Sequence, residues 1–556
     1  MTAGVRQEPR EATRPRAPRR PRLPVLLALL VGLAGVGYRL ALLLADAPPT
    51  NSDEATMGLA ALHIARGEDF PVWFYGQAYM GTLEAYLAAP LIALAGPSVL
   101  ALRLPTLALY ALFLALSWRL TIRLGGDRWY ALLVVAVLAL GADRVVKNQL
   151  IAGGGYPELN PAGAALALLT VGLCTTGPGA RLPRWAAWGL ISGLLLWVDP
   201  LVLPYVLGTG TVLIAWRRRE LAGRAGLIVA GTLLLGAAPM LLDSLRHGRD
   251  PLAAVLAASG AEAASWGERL YGGLVLGPPL AMGFCSPGHC AGWQLWWAPV
   301  FLLLLLLAVV AAGHTLRRPV PPADRGHFPF AAHANCPRSG DDPAGPADRR
   351  VSAAVRLALL AGAAGVLAAY AASTAAGRTP IESARYLSVL AVAMPALLWP
   401  LRSAARRAGL WPPPPRPAGV AAVAVLAGML GTGAVATAGA VGTVPATRAE
   451  AERHRVLVDT LGDLNLRHVR GSYWTCNRLA FASGEEVRCA VVDDELRPGF
   501  DRLPAYRRAV DADPGAAWVA PAGSPLAARL DGRLGPGPGA LDVVTAAGWR
   551  IYLPRR

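Results

Sequence analysis

"NSDEATMGLAALHIARGEDFPVWFYGQAYMGTLEAY", residues 51–86, separates two apolar runs near the start of a 556-residue chain. The loop that holds it, 46–98, carries six acids (Asp46, Asp53, Glu54, Glu68, Asp69 and Glu84) against one arginine, Arg66. The rest of the chain is basic, with a net charge of +17. Working outward from this acidic loop, the flanks are apolar runs long enough to cross a bilayer as helices. The chain is 54% hydrophobic and only 16% charged, with a mean hydropathy of +0.41. These values define a polytopic α-helical membrane protein. The first run, 24–45, is too long and lacks the small-residue cleavage site of a removable signal peptide.

The placement of charge sets an expected topology. Lys147 is the only lysine, and seven arginines precede residue 24. Further basic stretches occupy 216–224, 315–356 and 401–416. A basic chain is compatible with nucleic-acid binding, but these clusters abut apolar runs, so the positive-inside rule accounts for them better. Spans are expected near 24–45, 99–121, 128–142, 161–177, 185–198, 200–216, 224–242, 295–314, 353–373, 386–401 and 418–442, about eleven in all. "WVDPLVLP" interrupts the 185–216 pair. With the N-terminal tail 1–23 in the cytoplasm of a cell bounded by a plasma membrane, alternation puts every basic cluster inside. The acidic loop, 143–160, 243–294, 374–385 and the tail 443–556 then lie outside.

Cysteine usage agrees with that sidedness. Cys285 and Cys290 in "CSPGHC", and Cys476 and Cys489 in the tail, fall outside, where disulfides persist. Zinc is the rival for "CSPGHC" with His289, although the spacing suits tetrahedral ligation poorly. Cys174 and Cys336 are expected as free thiols. The inner loop 317–352 is rich in Pro, Gly and charge and reads as a disordered linker. The tail is different. "AERHRVLVDTLGDLNL" has helical periodicity, and "EEVRCAVV", "AAWVAP" and "LDVVTAAGWRIYLP" read as strands, predicting a small α/β domain after the transmembrane domain 24–442. No internal repeat is visible, which weakens a transporter built from inverted halves.

The phosphate-binding and nucleophile motifs of soluble enzymes are absent, so the chemistry must come from polar groups on the outer face. Asp53 and Glu54 have a bland reading: Asn51 with Glu54 fits a capping box, and Asp53 then sits in the first turn. The helix that follows would lie on the membrane surface. Capping and catalysis are compatible. The aromatics Trp73, Phe74, Tyr75 and Tyr79 fit an interfacial belt or the lining of a sugar or lipid site. A belt alone does not require Gln77 and Glu84 among them.

At this point the residues carry a resemblance. "SDEA" followed by "GEDFPVWFYGQAYMGTLEAYLAAPLIALAGPSVLALRLP" resembles the first external loop and second span of the C-type membrane glycosyltransferases. These include protein O-mannosyltransferases and aminoarabinose transferases. "KNQLIAGGGYPELN" is similar to that family's second external loop, and "ESARYLSVLAVAMPALL" to its late Arg-Tyr span. The likeness covers roughly residues 24–400. It departs where Glu158 stands in place of a frequent Asp, and in the "GGGYPE" stretch.

The resemblance implies a sugar donor carried on a polyprenyl phosphate and a single inverting displacement. Asp53, with Glu54 beside it, would be the general base for the acceptor hydroxyl. Arg385, Lys147, Arg144 and Arg378 would be the candidates for the donor phosphate. For each arginine the bland reading is a snorkelling interface residue. Gln77, Tyr79, Glu84, Tyr156, Glu158 and Tyr386 are the expected substrate-binding residues. No cofactor is required, although Asp53, Glu54 and Glu158 are of the type that ligates a divalent metal. Partners would be the lipid-linked sugar, a glycan, lipid or protein acceptor, and membrane lipids, with no nucleic acid. Two other classes remain: a transporter whose intramembrane Asp199 and Arg39 mark a pathway, and a non-catalytic scaffold with an external binding domain.

Overall fold

A computed structural model describes residues 23–175, 181–248, 250, 253, 264–285, 290–318, 346–407, 417–534 and 540–555. Among these, nine helices are long and apolar enough to cross a bilayer: Leu23–Leu44, Val99–Arg123, Tyr156–Thr175, Pro200–Leu221, Arg224–His247, Gly292–Arg317, Asp348–Ala372, Pro380–Arg406 and Pro417–Asp463. The chain is a multi-pass membrane protein. Cys336 and most of the expected linker lie outside the described residues, but the linker's last residues already belong to the helix Pro346–Ala372.

The expected span at 128–142 is a broken element. A helix Arg128–Ala139 turns by 92° into a second helix, Asp143–Leu150. The break frees backbone carbonyls, and in an apolar medium each needs a donor. Arg39 supplies two, donating to Ala139 O at 3.0 Å and Leu140 O at 3.2 Å, while Tyr38 donates to Gly141 O at 2.9 Å. Fully buried, Arg39 also reaches Gln149 Oε1 at 2.7 Å and lies 3.9 Å over the Tyr110 ring. It clamps a bend and does not line a transport pathway. Leu182–Val198 and Leu83–Ala95 are shorter apolar helices. The former packs close to Arg224–His247 through Gly193 and Gly236. A Cβ on either would come within 2.4 Å of backbone oxygen on the other helix, the small-residue packing common between membrane helices.

The last span continues past Thr443 into a helix, Val444–Asp463, that leads into a five-stranded sheet. Its strands are β1 (His468–Gly471), β2 (Arg488–Val491), β3 (Ala517–Pro521), β4 (Leu541–Ala546) and β5 (Trp549–Pro554), in the order β2-β1-β3-β5-β4. β1 is parallel to β2 and β3, and β5 is antiparallel to β3 and β4. Ala547 and Gly548, both at positive φ, close the β4–β5 hairpin, as two-residue hairpin turns require. Four of the five strands fall in the three expected segments, the last of which is split into β4 and β5. β1, four residues in "RHVRG", is too short and too charged to stand out as a strand.

Both cysteine pairs, Cys285–Cys290 and Cys476–Cys489, form disulfides, and Cys174 is a buried free thiol. The second bond ties the helix Tyr473–Ala482 to β2.

The acidic loop differs most from expectation. The helix Ser52–Arg66 does not lie on the membrane surface: Ser52 and the whole run Glu54–His63 are buried. Leu83–Ala95 packs on one side of it and Tyr473–Ala482 on another. Leu59, Leu62, Ala88, Ile92, Ala480 and Phe481 share a single apolar core. Gly58 permits that approach, because a Cβ there would stand 2.6 Å from the Phe481 ring. The sheet domain is thereby docked on the acidic loop.

Candidate active site

The site begins at the cap of the helix Ser52–Arg66. Asn51 caps it, its side chain accepting the Glu54 N–H at 2.9 Å. The expected capping box is only half formed, because the Glu54 carboxylate turns away. It receives Arg103 Nε and Nη2 at 2.6 Å each, and both side chains are fully buried. Arg103 also donates to Pro48 O at 2.8 Å. With both oxygens held in a bidentate ion pair, Glu54 is committed to Arg103. Arg103 was legible as a charge inside an apolar run, which calls for a partner.

Asp53, one residue earlier, points the other way. Its Oδ1 accepts the Tyr473 hydroxyl at 2.5 Å and Arg502 Nη2 at 3.2 Å, both from the sheet domain. Arg502 also donates to Tyr473 Oη at 2.9 Å and to Tyr75 O at 3.2 Å, and it lies among the rings of Phe74, Phe500 and Tyr473. Burial and the Asp53 carboxylate push the Tyr473 phenol up to about 12, so it stays a donor. Neither Tyr473 nor Arg502 was found from the sequence, since no spacing links positions more than 400 residues from Asp53.

The "GGGYPE" stretch forms the wall behind Asp53. A Cβ on Gly153 would stand 3.4 Å from Glu54 N, and Gly155, at a φ of +73°, lies against Val198. The Gly155 N–H donates to Glu84 Oε1 at 3.1 Å. The glycines let the backbone approach the acid pair closely and turn in a way a side chain would resist. Behind them Glu84 and Glu158 are buried within electrostatic contact of each other. The two carboxyls hydrogen-bond to each other, and Gln77 Oε1 has no hydrogen-bond partner among the described residues. Asp199 caps the next helix through Leu201 N at 2.8 Å, and its charge reaches Glu158 and Arg385.

The expected phosphate ligands separate. Arg385 makes no ion pair among the described residues, lies 5.5 Å over the Tyr386 ring, and is within electrostatic range of Asp53 and Tyr156. Arg144 is within the same range of Arg385. Tyr156 and Tyr386 are 6.4 Å apart, and Tyr79 is within range of Asp53, Arg385, Arg502 and Tyr386. Lys147 is instead paired with Asp143 at 3.1 Å, one helical turn away. Arg378 lies beside Glu268. Asp53, Arg385, Arg144, Tyr79, Tyr156, Tyr386, Glu84 and Glu158 therefore converge, while Lys147 and Arg378 have other neighbours.

Of the residues named for a metal, Glu54 is occupied by Arg103, and the ligand atoms of Asp53, Glu54 and Glu158 do not form a group within reach of a common point. Among the described residues the one group of three ligand-type side chains within reach of a common point is His63, Glu68 and Glu485. Glu485 there accepts from His63 at 2.9 Å, Arg66 at 2.6 Å and Tyr506 at 2.5 Å. A carboxylate so saturated by protein donors is a docking contact.

No known family model matches the sequence, and no curated protein matches it. The fold itself is nevertheless shared with a solved membrane protein. Among solved structures the chain is similar to ArnT from Cupriavidus metallidurans, seen bound to undecaprenyl phosphate and in the apo state. The TM-score is 0.54 at 14% identity, over 96% of this chain and 97% of that one. It also overlaps the Archaeoglobus fulgidus oligosaccharyltransferase, with a TM-score of 0.47 at 10% identity, over 90% of this chain and 69% of that one.

Proposed function

We propose that this chain is a glycosyltransferase that moves a sugar from a polyprenyl-phosphate donor to an acceptor hydroxyl at the outer face of the plasma membrane. The observation that carries this reading is the Asp53 carboxylate. It holds a hydroxyl, that of Tyr473, in a hydrogen bond of 2.5 Å beside an arginine without a carboxylate partner. A base that binds an O–H in this way is suited to draw its proton as the oxygen attacks. The acceptor oxygen forms a bond to the anomeric carbon on the face opposite the lipid phosphate. The bond from that carbon to the phosphate oxygen breaks, the phosphate leaves with the electron pair, and the proton passes to Asp53. Configuration inverts. Arg385, with Arg144 beside it, stabilises the charge that grows on the leaving phosphate. The buried carboxyl pair of Glu84 and Glu158 accepts sugar hydroxyls, and Tyr79, Tyr156 and Tyr386 supply the ring faces around it. Glu54 positions Asp53 through Arg103.

Two disulfides favour an oxidising compartment for the segment around Cys285 and for the sheet domain, which supports a cytoplasmic N-terminus. The decisive experiment incubates purified protein with lipid-phosphate mannose, arabinose and glucose in turn and follows sugar transfer to cell-envelope glycans, lipids and peptides. Transfer by wild type, abolished in Asp53→Asn protein that still folds, supports the proposal. Transfer undiminished in Asp53→Asn would remove Asp53 from the role of base.

A further inference from the structure

At the far end of the bundle a second set of charges is left unbalanced. Helix Val99–Arg123 carries Arg103 beside the candidate active site and Arg123 at its other end, 20 residues on, which is about 30 Å at 1.5 Å per residue. That is the thickness of a hydrocarbon core. Just past Arg123, Asp127 caps the helix Arg128–Ala139 and pairs with Arg402 and Arg406, while Arg356 stacks on Trp399 beside Arg402.

The single carboxylate is fully committed. Its Oδ1 accepts the Tyr130 N–H at 2.9 Å. Its Oδ2 accepts Arg402 Nε at 3.2 Å and Nη2 at 3.1 Å, with Arg406 Nη1 at 3.4 Å. Nothing remains for Arg356, which is only 5% exposed and whose Nε and Nη1 have no hydrogen-bond partner among the described residues. The face of its guanidinium lies 3.7 Å from the Trp399 ring, and Arg402 lies 4.6 Å from the same ring. Stacking satisfies the face of the group but not the N–H donors in its plane. Guanidinium does not deprotonate, and buried charges without partners are costly enough to be rare.

We infer that Arg356, with Arg402 and Arg406, binds the phosphate of an anionic membrane lipid at the bundle end opposite Asp53. In-plane N–H donors match phosphate oxygens. The site lies where headgroup phosphates lie, one bilayer thickness from the other polar end. Trp129, 56% exposed two residues from Asp127, is the kind of side chain that anchors at such a boundary. The cluster carries two more cations than anions, which favours a lipid of net negative charge over a zwitterionic one.

The test uses full-length protein delipidated in dodecyl maltoside, a detergent without phosphate. Dioleoylphosphatidylglycerol, dioleoylphosphatidylcholine or inorganic phosphate is added, and melting temperature and lipid retention by native mass spectrometry are read. Phosphatidylglycerol should raise the melting temperature and remain bound to wild type. Arg356→Met should retain it on the order of tenfold less, the worth of a hydrogen bond to a charged group. The lipid-free variant should melt no lower than wild type, because a methionine that keeps the Trp399 contact removes an unpaired charge. Equal stabilisation of both proteins by phosphatidylglycerol, or a lipid-free Arg356→Met that melts well below wild type, would overturn the inference. So would full reproduction of the effect by phosphatidylcholine or by inorganic phosphate.

Discussion

Asp53 lies between two polar surfaces that are built in opposite ways. On the bundle side, Gln77 Oε1 has no donor among the described residues, Glu84 and Glu158 have chiefly each other, and Arg385 makes no ion pair among the described residues. On the side of the sheet domain the contacts are closed: Tyr473, Arg502, His63, Arg66, Tyr506 and Glu485 all hydrogen-bond across the junction or within it. The difference separates an interface from a binding site. A docking surface pairs its polar groups at once, because an unpaired buried one costs stability. A ligand site keeps them open for a molecule still to arrive. By this criterion the bundle side has the character of a binding surface, as the proposed function requires, and the sheet domain that of a docked brace.

The sharpest contrast is between the adjacent acids. Asp53→Asn keeps the shape of the side chain, and on the proposed mechanism turnover should fall on the order of 10²–10⁴-fold with melting temperature little changed. A steady-state transfer assay alongside a thermal melt reads both. Glu54→Gln should do the reverse in kind, leaving Arg103 buried without its charge partner. The expected loss of stability is about 3–5 kcal/mol, the usual cost of breaking a buried pair from one side. The double change Glu54→Leu with Arg103→Met should recover much of that loss. If Glu54→Gln melts like wild type and the double variant melts lower, the anchor role is wrong.

Two titrations probe the sheet domain with smaller effects. His454 is buried on the helix Val444–Asp463, and its Nε2 has no partner. Burial, with the nearby Arg478 charge, pushes the imidazole down to about 3 from its ordinary 6.5. The unfolded chain therefore binds a proton that the folded one refuses, and stability falls as pH drops below 6.5 toward 3. The slope is at most about 1.4 kcal/mol per pH unit. Melting curves at pH 7 and pH 5 should differ more for wild type than for His454→Phe, and equal shifts would discount the histidine. Burial alone would raise the Glu485 carboxyl, but His63, Tyr506 and Arg66 outweigh it and hold it at about 2. Its contribution is complete above pH 4.5 and is lost as pH falls from there toward 2. Glu485→Gln should already lack it at neutral pH and show a flatter acid limb between pH 4.5 and 3. Limited proteolysis at the junction reads this, and an unchanged limb would assign acid sensitivity elsewhere.

The sequence by itself determined what periodicity and composition encode. Runs of apolar residues of bilayer length fix where spans lie, because a backbone in lipid must hydrogen-bond to itself. The helical and strand stretches of the tail announced a separate α/β unit, and the order of loop motifs pointed to the fold. Asp53, Arg385 and the tyrosines were singled out because the motifs that hold them resemble those of a known family, and the structure brings these residues together. What only the tertiary structure decided is pairing at long range. The bend after Ala139 depends on Arg39, 100 residues away, reaching the free carbonyls. The different fates of Asp53 and Glu54 depend on the helix placing one toward Arg103 and the other toward Tyr473 and Arg502. Spacing along a chain carries no information about a partner 420 residues distant, because that contact exists only after the sheet domain has docked on the acidic loop.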